Sequence, residues 1–392
     1  MRTAALLRPE VLIPLAAACP NIAFATWAAQ LNNFAVERAG FGGVEMGILQ
    51  SLREVPGLLG FGAVFLLLVV REQRLLYLML AITGLGVALT GFFPSVLGLY
   101  ALTMLMSLGH HYHSVVHNSL ALQWVERERT PQVLGRAMAV SSAVAIVTYG
   151  LVWAAFDVGG LDYATVYAVG GGVTMLLALA LWALFPRFPV RAPQRTRLVV
   201  RRRYWLFYAL QFLNGGRRQI FVVFAAFLMV DKFAFTVGEM SMLFLVTSAL
   251  NVVIAPYVGR WVAAWGERRA LTVEYVGLTI IFTAYAFVER ADVAAALYLA
   301  DHLFFALTLA MSTYFQKIAD PADIAATSGV SETVNHVAAV VVPAAFGFLW
   351  LISPAAVFLA GAGLALAALV LGRLIPDHPA PGREVVGLRA AA

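Results

Sequence analysis

The sequence has little charge and almost no cysteine. Asp, Glu, Lys and Arg make up 12% of its 392 residues, whereas a soluble domain holds about 25%. Hydrophobic residues reach 61% and the mean hydropathy is +0.83, so water is not the main solvent of the folded chain. The single cysteine, Cys19, lies inside the first apolar run, which excludes a disulfide framework or a cysteine-based metal site within one chain. No Gly-x-x-x-x-Gly-Lys-Ser/Thr loop is present, so ATP is not expected to drive any activity. Short alternating strands of the barrel type are also missing, and the long apolar runs predict membrane-spanning helices.

The apolar runs fall near residues 11–36, 43–70, 74–93, 96–125, 132–156 and 163–185, then 204–230, 236–263, 270–289, 292–317, 325–350 and 354–374. Each is long enough for a helix of roughly 20 residues to cross a bilayer. Between the sixth and seventh runs, Arg187 to Arg203 is rich in arginine and holds Pro189 and Pro193; no bilayer core would admit it. The expected organisation is therefore all-α, a polytopic membrane protein of twelve transmembrane helices in two pseudo-symmetric six-helix halves. Residues 1–186 form the first half, 187–203 a basic linker, 204–375 the second half and 376–392 a short tail. Arg2 and Arg8 before Ala16-Ala17-Ala18-Cys19 imitate a lipoprotein signal, but the run continues to Phe34 and further spans follow.

The formal charge of +6 could point to nucleic acid, yet its placement points to topology. Most of the 27 Lys and Arg lie at the termini, in the linker, or in the loops after the second, fourth, eighth and tenth runs. Arg38, Lys232 and Arg290 occupy the opposite loops. The positive-inside rule places both termini and the linker in the cytoplasm, with the chain in the cell's inner membrane. Nucleic acid is not an expected partner.

The halves resemble each other. Val44-Glu45-Met46-Gly47 opens the second run and Gly238-Glu239-Met240-Ser241 opens the eighth, 194 positions later. Pro131 before the fifth run is matched by Pro321 before the eleventh, 190 positions on. After the eighth run comes Gly259-Arg260-Trp261-Val262-Ala263-Ala264-Trp265-Gly266-Glu267-Arg268-Arg269. It resembles the cytoplasmic signature of the major facilitator superfamily, a Gly followed seven residues later by Gly and then basic residues. The acidic and basic residues usual in its middle are replaced by Ala263 and Ala264. The resemblance implies two six-helix halves working by alternating access, with Gly259, Arg260, Gly266, Arg268 and Arg269 as the gating loop. It also implies a cavity walled by the first, fourth, seventh and tenth helices.

Ionisable groups at membrane depth cost at least a few kcal/mol and usually face a cavity. The second helix carries Arg53 and Glu54; the fourth His110, His111, His113 and His117; the seventh Gln211, Asn214, Arg217 and Arg218; the tenth Asp301 and His302; the eleventh Glu332 and His336. At roughly 100 degrees per residue, His110, His113 and His117 share one stripe, and so do Tyr204, Tyr208, Gln211, Asn214 or Gly215, and Arg218. Arg53, Asn214, Arg218, His110, His113 and His117 are the expected substrate-binding residues; Glu54, Asp301, His302, Glu332 and His336 are the expected proton-coupling residues. The guanidinium suits a carboxylate or phosphate. Buried charge pairs that only fix packing account for the same arginines and acids, with Arg217 the one expected to pair with an acid on a neighbouring helix.

Three readings follow. The first is a secondary transporter, proton-coupled and acting as a monomer without a cofactor, for a small organic anion. The second is a transition-metal or metal-chelate transporter using the histidine stripe, the metal site itself being undefined. The third is a membrane-embedded metalloenzyme, for which seven histidines in all are few.

Overall fold

The computed structural model describes residues 7–60, 62–126, 129–189, 201–320 and 324–386. Among these residues the spans are α1 (Pro9–Ala39), α2 (Gly43–Leu58) continued by α3 (Gly62–Leu67), α4 (Glu72–Thr90), α5 (Val96–Trp124), α6 (Thr130–Asp157) and α7 (Tyr163–Leu184). The second set is α8 (Trp205–Gln219) with a π-turn (Ile220–Ala225) and α9 (Ala226–Asp231), then α10 (Val237–Trp265) and α11 (Glu267–Ala286). It ends with α12 (Ala291–Phe305) joined through a 3-10 turn to α13 (Leu309–Ile318), then α14 (Ile324–Ile352) and α15 (Pro354–Gly372). Helices prevail because nothing in a bilayer core can satisfy a backbone amide except the chain itself.

Nine of these helical segments are long and apolar enough to cross a membrane. The segments outside that set are α2 with α3, α5, and α11, and each carries ionisable groups into the fold: Arg53 with Glu54, the histidine stripe, and Glu274 respectively.

The described chain divides into two compact units whose boundaries cut across the sequence halves. Unit 1 is Met1–Gly42, Leu52–Gln194 and Phe235–Ser248; unit 2 is Gly43–Ser51, Arg195–Ala234 and Ala249–Ala392. Each unit therefore takes up the opening segment of one span from the other half, and the two exchanged segments are the pair matched by their sequences. Unit 1 buries Gly238 against the Asp157 carboxylate, and the Asn33 amide donates to the Phe235 carbonyl across 2.6 Å. Unit 2 buries Gly47 against the Pro343 carbonyl oxygen, where any Cβ would overlap backbone. In the same place Ser51 Oγ accepts from the Ala344 backbone N–H at 2.9 Å.

A second pair of contacts repeats between the halves. Glu72, at the start of α4, accepts from Ser119 at 2.5 Å and from Gln123 at 3.0 Å near the end of α5. Glu267, at the start of α11, pairs with Lys317 at 2.6 Å near the end of α13. Gln123 and Lys317 stand 194 positions apart, the same offset as the helix openings. The next residue of each helix ties down the chain that leaves its half: Gln73 bonds the Pro186 carbonyl and the Phe188 N–H, and Arg268 pairs with Asp377 at 3.2 Å.

The apolar cores are separate. In unit 1, Leu12, Ile13, Leu76, Leu80, Val116 and Leu120 lie at the centre. In unit 2, Tyr204, Phe207, Tyr275, Tyr314 and Phe315 do so, with Phe207 stacked on Phe315 at 4.4 Å. The tail is folded onto this second core: Val385 is buried in it, and the Tyr314 hydroxyl donates to the Glu384 carbonyl at 2.6 Å.

Candidate functional site

In unit 1 the histidine stripe faces α1. His117 Nε2 lies 2.9 Å from the Ile13 carbonyl, His113 and His117 stack with centroids 6.0 Å apart, and His110 stacks on Phe24 at 5.2 Å. His111 turns an edge toward His110 instead. Near them Arg53 pairs with its neighbour Glu54 at 2.5 Å and stands over the Trp27 ring at 5.8 Å, while Ser107 donates to the Arg53 carbonyl. His110 Nδ1, His113 Nε2 and Trp27 Nε1 are buried without a hydrogen-bond partner among the described residues. Such groups retain the capacity to bond an internal water or a bound solute. No group of three His, Cys, Asp or Glu able to hold a metal ion occurs among the described residues.

In unit 2 the two adjacent arginines of α8 separate. Arg217 is 1% exposed; its Nη2 donates to Asn214 and, across 2.8 Å, to Glu274 on α11. Thr308 donates to the same Glu274 oxygen at 2.7 Å. Arg218 lies on the exposed side of the helix, its guanidinium 5.8 Å from the Phe305 centroid. Tyr208 and Gln211 keep partly open positions, and Gln211 donates to Ser331 of α14 at 2.5 Å. The stripe expected from Tyr204 through Arg218 is interrupted: Tyr204 belongs to the apolar core, and Asn214 is turned toward Arg217. Helix α8 comes this close to α14 through Gly215, where a Cβ would meet Asn335 Oδ1 at 2.8 Å. The π-turn begins two positions after Arg218, at Ile220, a feature common at functional positions in helices.

Asp301, on α12, is 3% exposed. His302 Nδ1 bonds the Tyr298 carbonyl of its own helix at 3.0 Å, and its ring meets Phe221 at 5.1 Å. His336 is half-buried on α14. Glu332 is on the same helix, but its side chain lies outside the described residues. Sequence reasoning missed Glu274, although an acid four residues into the apolar run beginning at Ala270 was the available signal.

The segment expected to form a gating loop is largely helical. Gly259 lies inside α10, which continues to Trp265, and the turn is Gly266 alone, with φ of 77°, a conformation suited to glycine. Arg260 stacks over Tyr257 at 4.6 Å, Trp261 and Trp265 stack in parallel at 5.8 Å, and Arg269 is exposed.

Apolar helical spans that bury two clusters of charged and polar side chains define a polytopic membrane transporter. The comparisons with known proteins agree. The Major Facilitator Superfamily model matches residues 11–343, and the chain belongs to that superfamily. No curated protein matches the sequence. Among solved structures, the nucleoside transporter NupG matches with a TM-score of 0.75 at 13% identity, covering 93% of this chain and 98% of its own. A bacterial homologue of the human lysosomal transporter Spinster, in an inward-facing and occupied conformation, matches with a TM-score of 0.71 at 12% identity over 92% and 93%. A bacterial metal transporter matches with a TM-score of 0.69 at 11% identity over 94% and 98%. At such identities the likeness is one of fold. The chain is a multi-pass membrane transporter of a small solute, not an enzyme.

Proposed function

We propose that the protein is a proton-coupled secondary transporter of a small organic anion, working by alternating access. The observation that carries this reading is the division of the arginine pair. Arg217 is neutralised inside the fold, whereas Arg218 projects from the exposed side of α8 together with Tyr208 and Gln211. A guanidinium presents a planar fork of donors to a carboxylate or phosphate, which an ammonium does not. In unit 1 by itself, Arg53 with its Trp27 neighbour, His110 and His113 are the polar groups this reading assigns to substrate. Asp301 is the proton-carrying acid of this proposal, with Glu54, His302, Glu332 and His336 as further members. Both termini and the basic linker face the cytoplasm in this reading, and the turn at Gly266 with Arg260, Arg268 and Arg269 gates that side.

The metal reading has less support. His117 is engaged by a backbone carbonyl, and the other side chains needed for a ligand set are not gathered among the described residues. The test is uptake of a panel of radiolabelled carboxylates and organic phosphates into proteoliposomes, with and without an inward proton gradient. The gradient is expected to drive accumulation of at least one anion, and Arg218→Lys to reduce it at least tenfold in stably folded protein. Gradient-independent uptake removes the proton from the proposal, and full activity of Arg218→Lys removes the anion site.

A further inference from the structure

Helices α6 and α7 both pack along α1, yet over most of their length they do not pack on each other. Ser141 of α6 donates to the Ala17 carbonyl at 2.9 Å, and Gly170 of α7 lies so close to α1 that a Cβ there would overlap the Thr26 side chain. The two helices touch beside the turn that joins them, where the Phe156 and Tyr163 rings are 5.2 Å apart. Between them runs an open groove of about 660 Å³, floored by Ile22 and Thr26 of α1. Its α6 wall extends from Ala139 to Ala155 and its α7 wall from Val166 to Val173. The lining is apolar, and Thr148 Oγ, the hydroxyl of the α6 wall, is spent on the Val144 carbonyl at 2.8 Å.

At a rise of ~1.5 Å per residue the α6 wall is about 24 Å long, more than the roughly 15 Å of hydrocarbon in one leaflet. A straightened hydrocarbon chain fits such a length. Left empty, the cleft would forfeit dispersion contacts on every wall, and water finds no polar partners there. The ends differ in charge. Arg136, Ala139, Val140 and Ala143 share one face of α6 by their three- and four-residue spacing, so the wall continues into an arginine that is exposed and has no ion pair among the described residues. Helical side chains lean toward the N-terminus, which carries this guanidinium past the apolar end of the groove. At the opposite end Asp157, Asp162 and Glu37, all exposed, outnumber Arg38.

We propose that this groove binds one acyl chain of an anionic phospholipid whose phosphate sits on Arg136. The apolar walls hold the chain and are indifferent to the headgroup; the arginine makes the choice. A guanidinium bonds a phosphate through two parallel N–H groups. A phospholipid of net negative charge is therefore favoured over a zwitterionic one, whose ammonium would stand beside the same cation. The acids at the other end repel a phosphate and set the direction of the lipid, headgroup at the start of α6 and chain toward the turn. In the orientation proposed above this is the cytoplasmic leaflet. The inference does not depend on what the protein transports.

The test places the full chain in liposomes with phosphatidylglycerol or phosphatidylethanolamine carrying the same photoreactive diazirine on one acyl chain. After irradiation, mass spectrometry of the digested protein locates the label. Phosphatidylglycerol is expected to label the groove walls at least fivefold more than phosphatidylethanolamine, and an excess of the unlabelled lipid to compete it away. Arg136→Gln is expected to bring the two lipids level. Ala143→Trp, which fills the groove from the α6 wall, is expected to remove label from Val169 and Val173 for both lipids. Leu366 and Val370 of α15, exposed apolar residues outside the groove, should be labelled as before. Should Ala143→Trp fail to fold, Val169→Trp fills the groove from the other wall and should clear Val173. Groove labelling no stronger than at Leu366 and Val370 means boundary lipid only and overturns the proposal. Labelling indifferent to headgroup and to Arg136→Gln overturns it too, and so does a groove closed to both lipids in a chain that cross-links as a dimer, which would give the groove to a second copy.

Discussion

Ser51 of α2 accepts a hydrogen bond from the backbone N–H of Ala344, the residue that follows Pro343 within α14. Proline has no N–H and disturbs the ladder of the helix that contains it, so a side chain brought from another span satisfies an amide beside the irregularity. Gly47, one turn earlier on α2, lets the two backbones touch. The joint is made of small groups and a single hydrogen bond.

Gly47→Leu is expected to prevent this joint while leaving the spans folded. In a Cys19→Ser background, Ser51→Cys should react slowly with a membrane-permeant maleimide, since position 51 is buried. Adding Gly47→Leu should raise the rate at least tenfold and abolish transport. Equal labelling rates in the two proteins would show that the joint does not govern access to α2.

The Arg217–Glu274 pair makes a prediction about stability. Arg217→Met alone leaves Glu274 buried without its cation and is expected to cost about 3–5 kcal/mol, read as a lower unfolding temperature in detergent. Arg217→Met with Glu274→Met should recover most of that loss, because an apolar pair of similar volume is often as stable as a buried ion pair. No recovery would mean that Asn214 and Thr308 depend on the pair for their own positions.

The folded tail gives a third expectation. Val385 is buried against the unit 2 core, so Val385→Ala should cost about 1–2 kcal/mol at ~0.8 kcal/mol per buried methylene. Val385→Asp should cost more, by placing an unpaired carboxylate there. Thermal unfolding of the two variants against wild type measures both, and identical melting of all three would show that the tail contributes nothing to the core.

Orientation is the fourth. Reporter fusions at the N-terminus, near Gln194 in the linker and after Ala392 should all report the cytoplasm, as the arginine distribution requires. A periplasmic signal from the linker would invert the assignment of sides and move the Gly266 turn away from the cytoplasmic gate.

Nine of the runs could be read directly because each is a long apolar stretch punctuated by charge; the other three, α2 with α3, α5 and α11, fall between those stretches, where bilayer thickness sets the spacing. The interruptions could not: hydropathy is blind to hydrogen-bond register, so the breaks near Gly60, at Ile220 and at Ala306 leave no trace in an apolar profile. Tyr204 illustrates a second limit. Its spacing from Tyr208 and Gln211 matches a polar stripe, yet a tyrosine ring packs as readily into a core, and Phe315 meets it there at 5.5 Å. The pairing of Arg217 with some acid followed from its position off the stripe. Which acid depended on how α11 packs, and Glu274 stands on that helix without the polar neighbours that mark the other clusters.

The repeated tether at the starts of α4 and α11 has different chemistry in its two copies. Glu72 is held by a hydroxyl and an amide, whereas Glu267 is held by the ammonium of Lys317, a side chain half open to the surroundings. Dissolved ions weaken the second bond and leave the first nearly untouched. The duplicated halves therefore carry the same tether with unequal sensitivity to the medium: anionic headgroups or salt at the surface can loosen the contact of Glu267 with Lys317 and leave that of Glu72 with Ser119 and Gln123 intact.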